Sequence, residues 1–346
     1  MKRFFIKQTL ENSLDAGPKA KLDTYKTLER IGFEPIVFVS NSKYKLIRYF
    51  RGVVIILKIL RLNKSFVLIE NPIDWKFLCV ATRIMRLRKN HLILLIHDIE
   101  SERYKHYPAS IEYSFINTFD SVIAHNESMK SFLVNKIDKK IKIYTLGMFD
   151  YLLDNGFKQN EKEIAPANFN KHRWQIIFCG NLTKTKSAFL YAMADINAQN
   201  WDMDLYGTGI GDIGQAPFIK YIGSFSPDRP VVNENSDFGL LWDGDSISTC
   251  NGIWGSYLKL NNPHKLSLYI ALNLPIIVWK EAAVAKLVED NNIGFTISSL
   301  SDISDKLSAL TYNDYQTFRK NLENFNRKVT SGEYLPLSLK QINVDL

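Results

Sequence analysis

Along the first 150 residues, short apolar runs alternate with stretches whose apolar positions repeat at helical spacing. Phe4-Phe5-Ile6 predicts a first strand, and a polar loop follows over residues 11–19. Leu22, Tyr25, Leu28 and Ile31 then share one helical face, and Gly32 supplies a C-terminal stop. The same pattern predicts strands at 34–39, 66–69, 91–96, 121–125 and 141–144, with helices at 43–62, 77–88 and 113–118. Unbroken runs such as Leu92-Ile93-Leu94-Leu95-Ile96 are what a sheet covered on both faces requires. Strands alternating with helices predict a parallel, doubly wound α/β domain.

The pattern lapses over residues 154–173 into Gly, Asn, Lys, Glu and Pro, which predicts an interdomain linker. A second series follows, with strands at 175–179, 203–206, 219–222, 238–242, 274–278 and 294–297 and helices at 187–194, 264–272 and 282–291. The expected architecture is two Rossmann-like α/β domains, residues 1–155 and 170–330, facing each other across a cleft that holds the active site. A tail over 331–346 is expected to pack back on the first domain.

Composition narrows the class. With 46% hydrophobic residues in 346, the chain is that of a globular protein. No apolar run approaches the roughly 18–20 residues that span a bilayer, because the longest, 52–62, is cut by Lys58 and Arg61. The opening Met1-Lys2-Arg3 turns polar too soon for a signal peptide, so a cytoplasmic chain is expected. Cys79, Cys179 and Cys250 form neither a disulfide framework nor a metal-binding pair. The net charge of +8 points to an anionic partner. Residues 43–64 interleave Lys45, Arg48, Arg51, Lys58, Arg61 and Lys64 with apolar positions. That segment suits either a helix lying on the anionic inner face of a membrane or an ordinary helix with a basic solvent face. No nucleic-acid module is present.

Several segments carry candidate chemistry. Gly180-Asn181-Leu182-Thr183-Lys184 follows a predicted strand and precedes a predicted helix, where backbone N–H groups and Lys184 can receive a phosphate or simply form a turn. Tyr206-Gly207-Thr208-Gly209 lacks the following helix and third glycine of a dinucleotide fingerprint. In the run from Tyr257 to Tyr269, Asn262 is placed to cap a helix with Pro263 at its first position, and His264 and Lys265 occupy the first turn. Positive side chains there oppose the helix dipole, a cost that an incoming anion would offset. Asp98 and Glu100 follow a buried strand and can deprotonate a hydroxyl or cap the next segment. His125 after the next strand suits a structural role better than a catalytic one. Glu281 and Glu289 have the spacing of a retaining-enzyme pair but follow the strand they should precede. Asp243-Gly244-Asp245 is taken as a loop and not a metal site, and no metal or other cofactor is expected.

These residues resemble a known family. Asn262-Pro263-His264-Lys265, with Asp15-Ala16-Gly17-Pro18-Lys19, Ile96-His97-Asp98-Ile99-Glu100, His125-Asn126-x-x-Met129, Gly180-Asn181-Leu182, Tyr206-Gly207-x-Gly209 and Tyr221-Ile222-Gly223, is similar to the bacterial glucosyltransferases and β-1,6-galactofuranosyltransferases of GT-B fold. The resemblance implies metal-independent, inverting transfer from a UDP-sugar to an oligosaccharide, lipid-linked or glycoprotein acceptor in surface-glycan synthesis. By the same resemblance Gly17, Lys19, Gly180, Asn181, Lys184, Tyr206, Gly207, Tyr257, Asn262, His264 and Lys265 would bind the donor, and Asp98, then Glu100, would serve as base. A non-catalytic scaffold subunit and a UDP-sugar epimerase are the alternatives, and homo-oligomerisation is left open.

Overall fold

The computed structural model describes residues 1–8, 18–38, 53–73, 75–104, 106–157 and 164–344. They form two compact units, one drawn from 1–12, 20–148 and 332–346, the other from 13–19 and 149–331.

The first unit is built on six parallel strands: β1 (Arg3–Gln8), β2 (Glu34–Phe38), β3 (Phe66–Asn71), β4 (His91–Ile96), β5 (Ser121–Ala124) and β6 (Lys142–Thr145). Their order is β2-β1-β3-β4-β5-β6. Pro35 cannot donate to a ladder, and it sits opposite Phe5 on the edge strand β2, where proline is tolerated. Leu92 to Ile96 are at most 1% exposed, as their unbroken apolar run demands. Helices Lys19–Arg30, Trp75–Leu87 and Glu127–Val134 join successive strands. Asn126 caps the last of these by accepting from Met129 N at 2.9 Å. The helix expected at 113–118 instead spans Ala109–Ile116 behind Pro108. Ahead of it, Glu100–Arg103 forms a short helix whose Glu100 and Ser101 N–H groups donate to the buried Glu112 carboxylate at 2.8 and 2.9 Å. Of the helix expected at 43–62, residues 53–59 are helical and 43–52 lie outside the described residues. The chain ends in this unit with helix Tyr334–Gln341 beside β6, where Arg30 Nη2 also donates to Gly332 O at 3.2 Å.

The second unit repeats the plan with β7 (Trp174–Asn181), β8 (Trp201–Thr208), β9 (Ile219–Gly223), β10 (Phe238–Leu241), β11 (Ile276–Trp279) and β12 (Gly294–Ile297). The order is β12-β11-β10-β7-β8-β9, all parallel. The connection expected at 187–194 as an α-helix is a 3₁₀-helix, Ala188–Asp195. Ser187 Oγ donates back to Asn181 O at 2.8 Å and Phe189 N to Gly244 O at 3.1 Å, so the first turn bonds to its surroundings and tightens. Helices Gly252–Tyr257, His264–Ala271, Ala285–Asp290, Ile303–Ala309 and Tyr312–Ser331 complete this unit. Among the described residues no helix is long and apolar enough to cross a membrane.

Candidate functional site

In the second unit the chain runs outward from β7 through β8 to β9, then returns to the other side of β7 with β10. Strand order reverses between β7 and β10, and ligands of open parallel sheets bind outside the carboxyl ends of strands at such a point. Gly180 and Asn181 end β7, and Trp242 and Asp243 follow β10.

Helix His264–Ala271 is held against this point by Tyr269. Its buried hydroxyl accepts from Cys179 N at 3.0 Å and donates to Leu240 O at 3.1 Å, joining β7 to β10. Gly239 makes room for the ring, since a Cβ there would lie 2.2 Å from it. Lys265, in the first turn, is thereby carried over the strand ends. Its Nζ donates to Trp242 O at 3.1 Å and Asp243 Oδ1 at 3.0 Å and lies 4.3 Å from the Phe178 ring centroid. Gly180 borders the aliphatic stem of Lys265, because a Cβ at that position would lie 3.7 Å from Lys265 Cδ. Gly207 stands opposite Gly180 in the β7–β8 register with φ +150°, and a Cβ there would meet Gly180 O at 1.8 Å. The product is a mostly buried ammonium, ion-paired with Asp243 at the glycine-bordered carboxyl ends of β7 and β10.

Other predicted donor residues occupy different environments. Asn181 is exposed, and its Oδ1 accepts from Thr183 N and Oγ1 at 2.9 and 2.6 Å. Lys184 is exposed, with Nζ 5.7 Å from the Tyr191 ring centroid. Tyr206 is buried, its hydroxyl accepts from Asn233 N at 2.8 Å, and burial pushes its phenol up to about 12. It therefore braces β8 against the segment before β10. Tyr257 and Asn262 are also buried. The capping expected of Asn262 is not the one observed: the cap position is Pro263, and no side chain caps the helix. His264 stacks on Tyr151 at 5.0 Å and meets Phe149 edge-on at 6.2 Å, so its ring packs against the segment that opens this unit. Lys19 belongs to the second unit and is buried. It donates to Asp228 Oδ1 at 2.7 Å and to Leu152 O, with Tyr151 beneath it. That ammonium is itself 2% exposed, deeper than Lys265, and its carboxylate partner is 36% exposed. Gly17 lies outside the described residues.

In the first unit, charged groups collect where β3 and β4 end. Glu70 Oε1 meets His97 Nε2 at 2.9 Å. Asp98 is ion-paired with Arg103, which also lies 3.8 Å from Glu100. Burial raises the Glu100 carboxyl above its ordinary range, Arg103 opposes the rise, and Asp98 and Glu112 add to it. Lys21 donates to Pro72 O at 2.6 Å, and burial lowers its ammonium below the usual range against the pull of Glu70, Asp98 and Glu100. His125 is fully enclosed, with Nε2 3.0 Å from Ile96 O, and burial drives it down to about 3. It is a neutral structural imidazole.

Glu281 and Glu289 lie on the surface of β11–β12 connections, paired with Lys259 at 2.8 Å and accepting from Thr296 Oγ1 at 2.6 Å. Among the described residues no group of three or more His, Cys, Asp or Glu is placed to hold a metal ion. Asp243 is the residue sequence reasoning set aside. The signal for it was its position directly after the predicted strand at 238–242, the partner of β7 at the reversal.

The chain matches the glucosyltransferase 3-like N-terminal domain over residues 3–148 and the glucosyltransferase 3-like C-terminal domain over residues 176–342. It is 32% identical to "Beta-1,6-galactofuranosyltransferase WbbI" of Escherichia coli K12 over 286 residues, 82% of this chain and 81% of that protein. It is 22% identical to "Glucosyltransferase 3" of Streptococcus gordonii over 326 residues, 91% and 90% of the two chains. Among solved structures it superposes on a glycosyltransferase from Rickettsia africae with TM-score 0.61 at 15% identity, covering 100% of both chains. It superposes on Anabaena HepE, crystallised with UDP-glucose, with TM-score 0.58 at 14% identity, covering 98% of both. The fold of these neighbours is GT-B. With both domains matched and the curated relatives aligned over most of their length, this chain belongs to the glucosyltransferase 3-like family of glycosyltransferases.

Proposed function

We propose that the chain transfers a hexosyl group, galactofuranose or glucose, from a UDP-sugar to a carbohydrate acceptor in surface-glycan synthesis, with inversion and without a metal ion. The observation that carries this is Lys265, held at the strand-order reversal of the second unit beside Gly180. Two of its three N–H donors are engaged by Trp242 O and Asp243, which hold the ammonium in place before a ligand arrives. A diphosphate there would gain a charge-assisted bond that strengthens as negative charge grows on the departing UDP.

The first unit would supply the base. Asp98 is neutralised by Arg103, whereas burial raises the basicity of Glu100, so Glu100 has the better chemistry for taking a proton from an acceptor hydroxyl. Arg103 and Asp98 would then set its orientation and proton affinity. Attack on the anomeric carbon as UDP leaves is a single displacement that inverts the centre. The β-linkage in the printed name of the Escherichia coli relative is what inversion of an α-linked nucleotide sugar yields.

The test is turnover of UDP-glucose and UDP-galactofuranose in EDTA, with the anomeric configuration of the product read by NMR. Turnover in EDTA with a β-product supports the proposal. Strict dependence on added Mg²⁺ or an α-product overturns the corresponding part of it. Glu100→Gln is expected to lower kcat by about 10²–10⁴, and unchanged kcat removes Glu100 as the base.

A further inference from the structure

Two segments of the first unit carry an exposed apolar ridge. Over residues 53–60, Val53, Val54, Leu57 and Leu60 are exposed at spacings of one, four and seven, the period of one helix face, while Ile59 and Leu62 are buried. On helix Trp75–Leu87, Val80 and Leu87 are 50% and 84% exposed, seven positions apart, with exposed Arg83 between them. The segments meet at their C-terminal ends. Arg88 Nε donates to Leu62 O at 2.8 Å, Asn90 Nδ2 to the same carbonyl at 3.3 Å, and Lys64 N to Arg88 O at 3.2 Å.

Charge is distributed around this ridge with one sign. Residues 53–64 and 78–90 contain Lys58, Arg61, Lys64, Arg83, Arg86, Arg88 and Lys89 and no Asp or Glu. All seven are exposed. Asp120 faces this region from the start of β5, 3.7 Å from Arg86. Scattered exposed Val and Leu are ordinary on a protein surface, but six on two joined segments inside a basic rim are not scattered. A nucleic acid would be met by base-stacking aromatics and polar donors, and a bare aliphatic ridge offers it nothing. Aliphatic side chains flanked by Lys and Arg are the features that bury into an acyl boundary while ammonium and guanidinium groups meet lipid phosphates.

We propose that this face of the first unit docks on an anionic lipid leaflet. The ridge supplies apolar burial, the basic rim supplies attraction and salt sensitivity, and neither includes a residue assigned to donor binding or proton transfer.

The full chain is sedimented with phosphatidylcholine vesicles and with vesicles that also contain phosphatidylglycerol, at low and high salt, and UDP affinity is measured on the same samples. The expected result is partitioning about tenfold stronger onto the anionic vesicles, falling as salt rises. Leu57→Ser with Leu87→Ser, and separately Arg83→Gln with Lys89→Gln, are each expected to weaken partitioning about fivefold or more with UDP affinity unchanged. All four positions are exposed, so far-UV circular dichroism should match the parent. Equal sedimentation with both vesicle types, no sedimentation with either, or variants that partition like the parent overturn the docking. Tight binding to a mixed-sequence RNA that displaces the chain from vesicles, with the Leu variants binding like the parent, overturns it in favour of a nucleic-acid surface. An unaltered chain that binds vesicles but not UDP contradicts the transferase function and leaves the docking standing.

Discussion

Tyr269→Phe removes one oxygen from the centre of the second unit, and the structure sets the cost. That hydroxyl accepts from Cys179 N and donates to Leu240 O, and the residue is fully buried, so no water replaces it. The ring itself stays in place because Gly239 and the strands beneath it leave a slot of its shape. The loss is therefore confined to hydrogen bonding, chiefly a buried N–H without its acceptor, worth about 1–3 kcal/mol. At ~2 kcal/mol the local opening equilibrium shifts about 30-fold. Amide hydrogen exchange at Cys179, compared in parent and variant under conditions where opening pre-equilibrates, reads this directly. Exchange accelerated about 30-fold supports the clamp between β7 and β10. Exchange within about twofold of the parent refutes it, because the N–H must then have another acceptor.

Three further outcomes follow from the same geometry. Asp243→Asn leaves Lys265 Nζ its bond to Trp242 O and a side-chain oxygen at position 243 that can still accept, but removes the negative charge, so titration at low salt should show UDP binding several-fold tighter; unchanged or weaker binding would refute a charge contact between Lys265 and the diphosphate. Gly207→Ala places a Cβ at 1.8 Å from Gly180 O in a φ +150° backbone, and a loss of about 2–4 kcal/mol is expected in chemical denaturation of the second unit, whereas a stable variant would refute the close strand approach. His125 is held neutral down to about 3, so below about 6.5 the unfolded chain takes up a proton that the folded chain refuses; between those values the first unit should lose about 1.4 kcal/mol per pH unit, and His125→Phe should flatten that slope without shifting it elsewhere.

The central strands were legible in the sequence because they are buried on two faces, and runs such as Leu92–Ile96 have no polar register to confuse them. The positions after β4 and β7 were legible for the same reason: a parallel sheet puts its chemistry at the carboxyl ends of strands. What escaped was decided by partners distant in sequence. Glu112 caps the helix at Glu100 from twelve residues away, and Ser187 and Phe189 bond outside their own turn, which tightens an expected α-helix to 3₁₀. Lys19 and Tyr206 have residue types that suit a nucleotide site, yet Asp228 and Asn233 engage them internally, and neither pairing leaves a local pattern. Asp243 was set aside because Asp-Gly-Asp was weighed as a metal motif. Its importance comes from strand order, which brings β10 beside β7 and so sets Asp243 against Lys265.

The central claim is that the second unit binds UDP through Lys265, and calorimetric titration of UDP in EDTA into the parent chain and Lys265→Ala tests it most directly. Micromolar binding by the parent, weakened about tenfold or more in the variant, is the predicted result, since one charge-assisted phosphate bond is worth roughly 1.5–3 kcal/mol. No binding by the parent, or equal binding by both proteins, would contradict it.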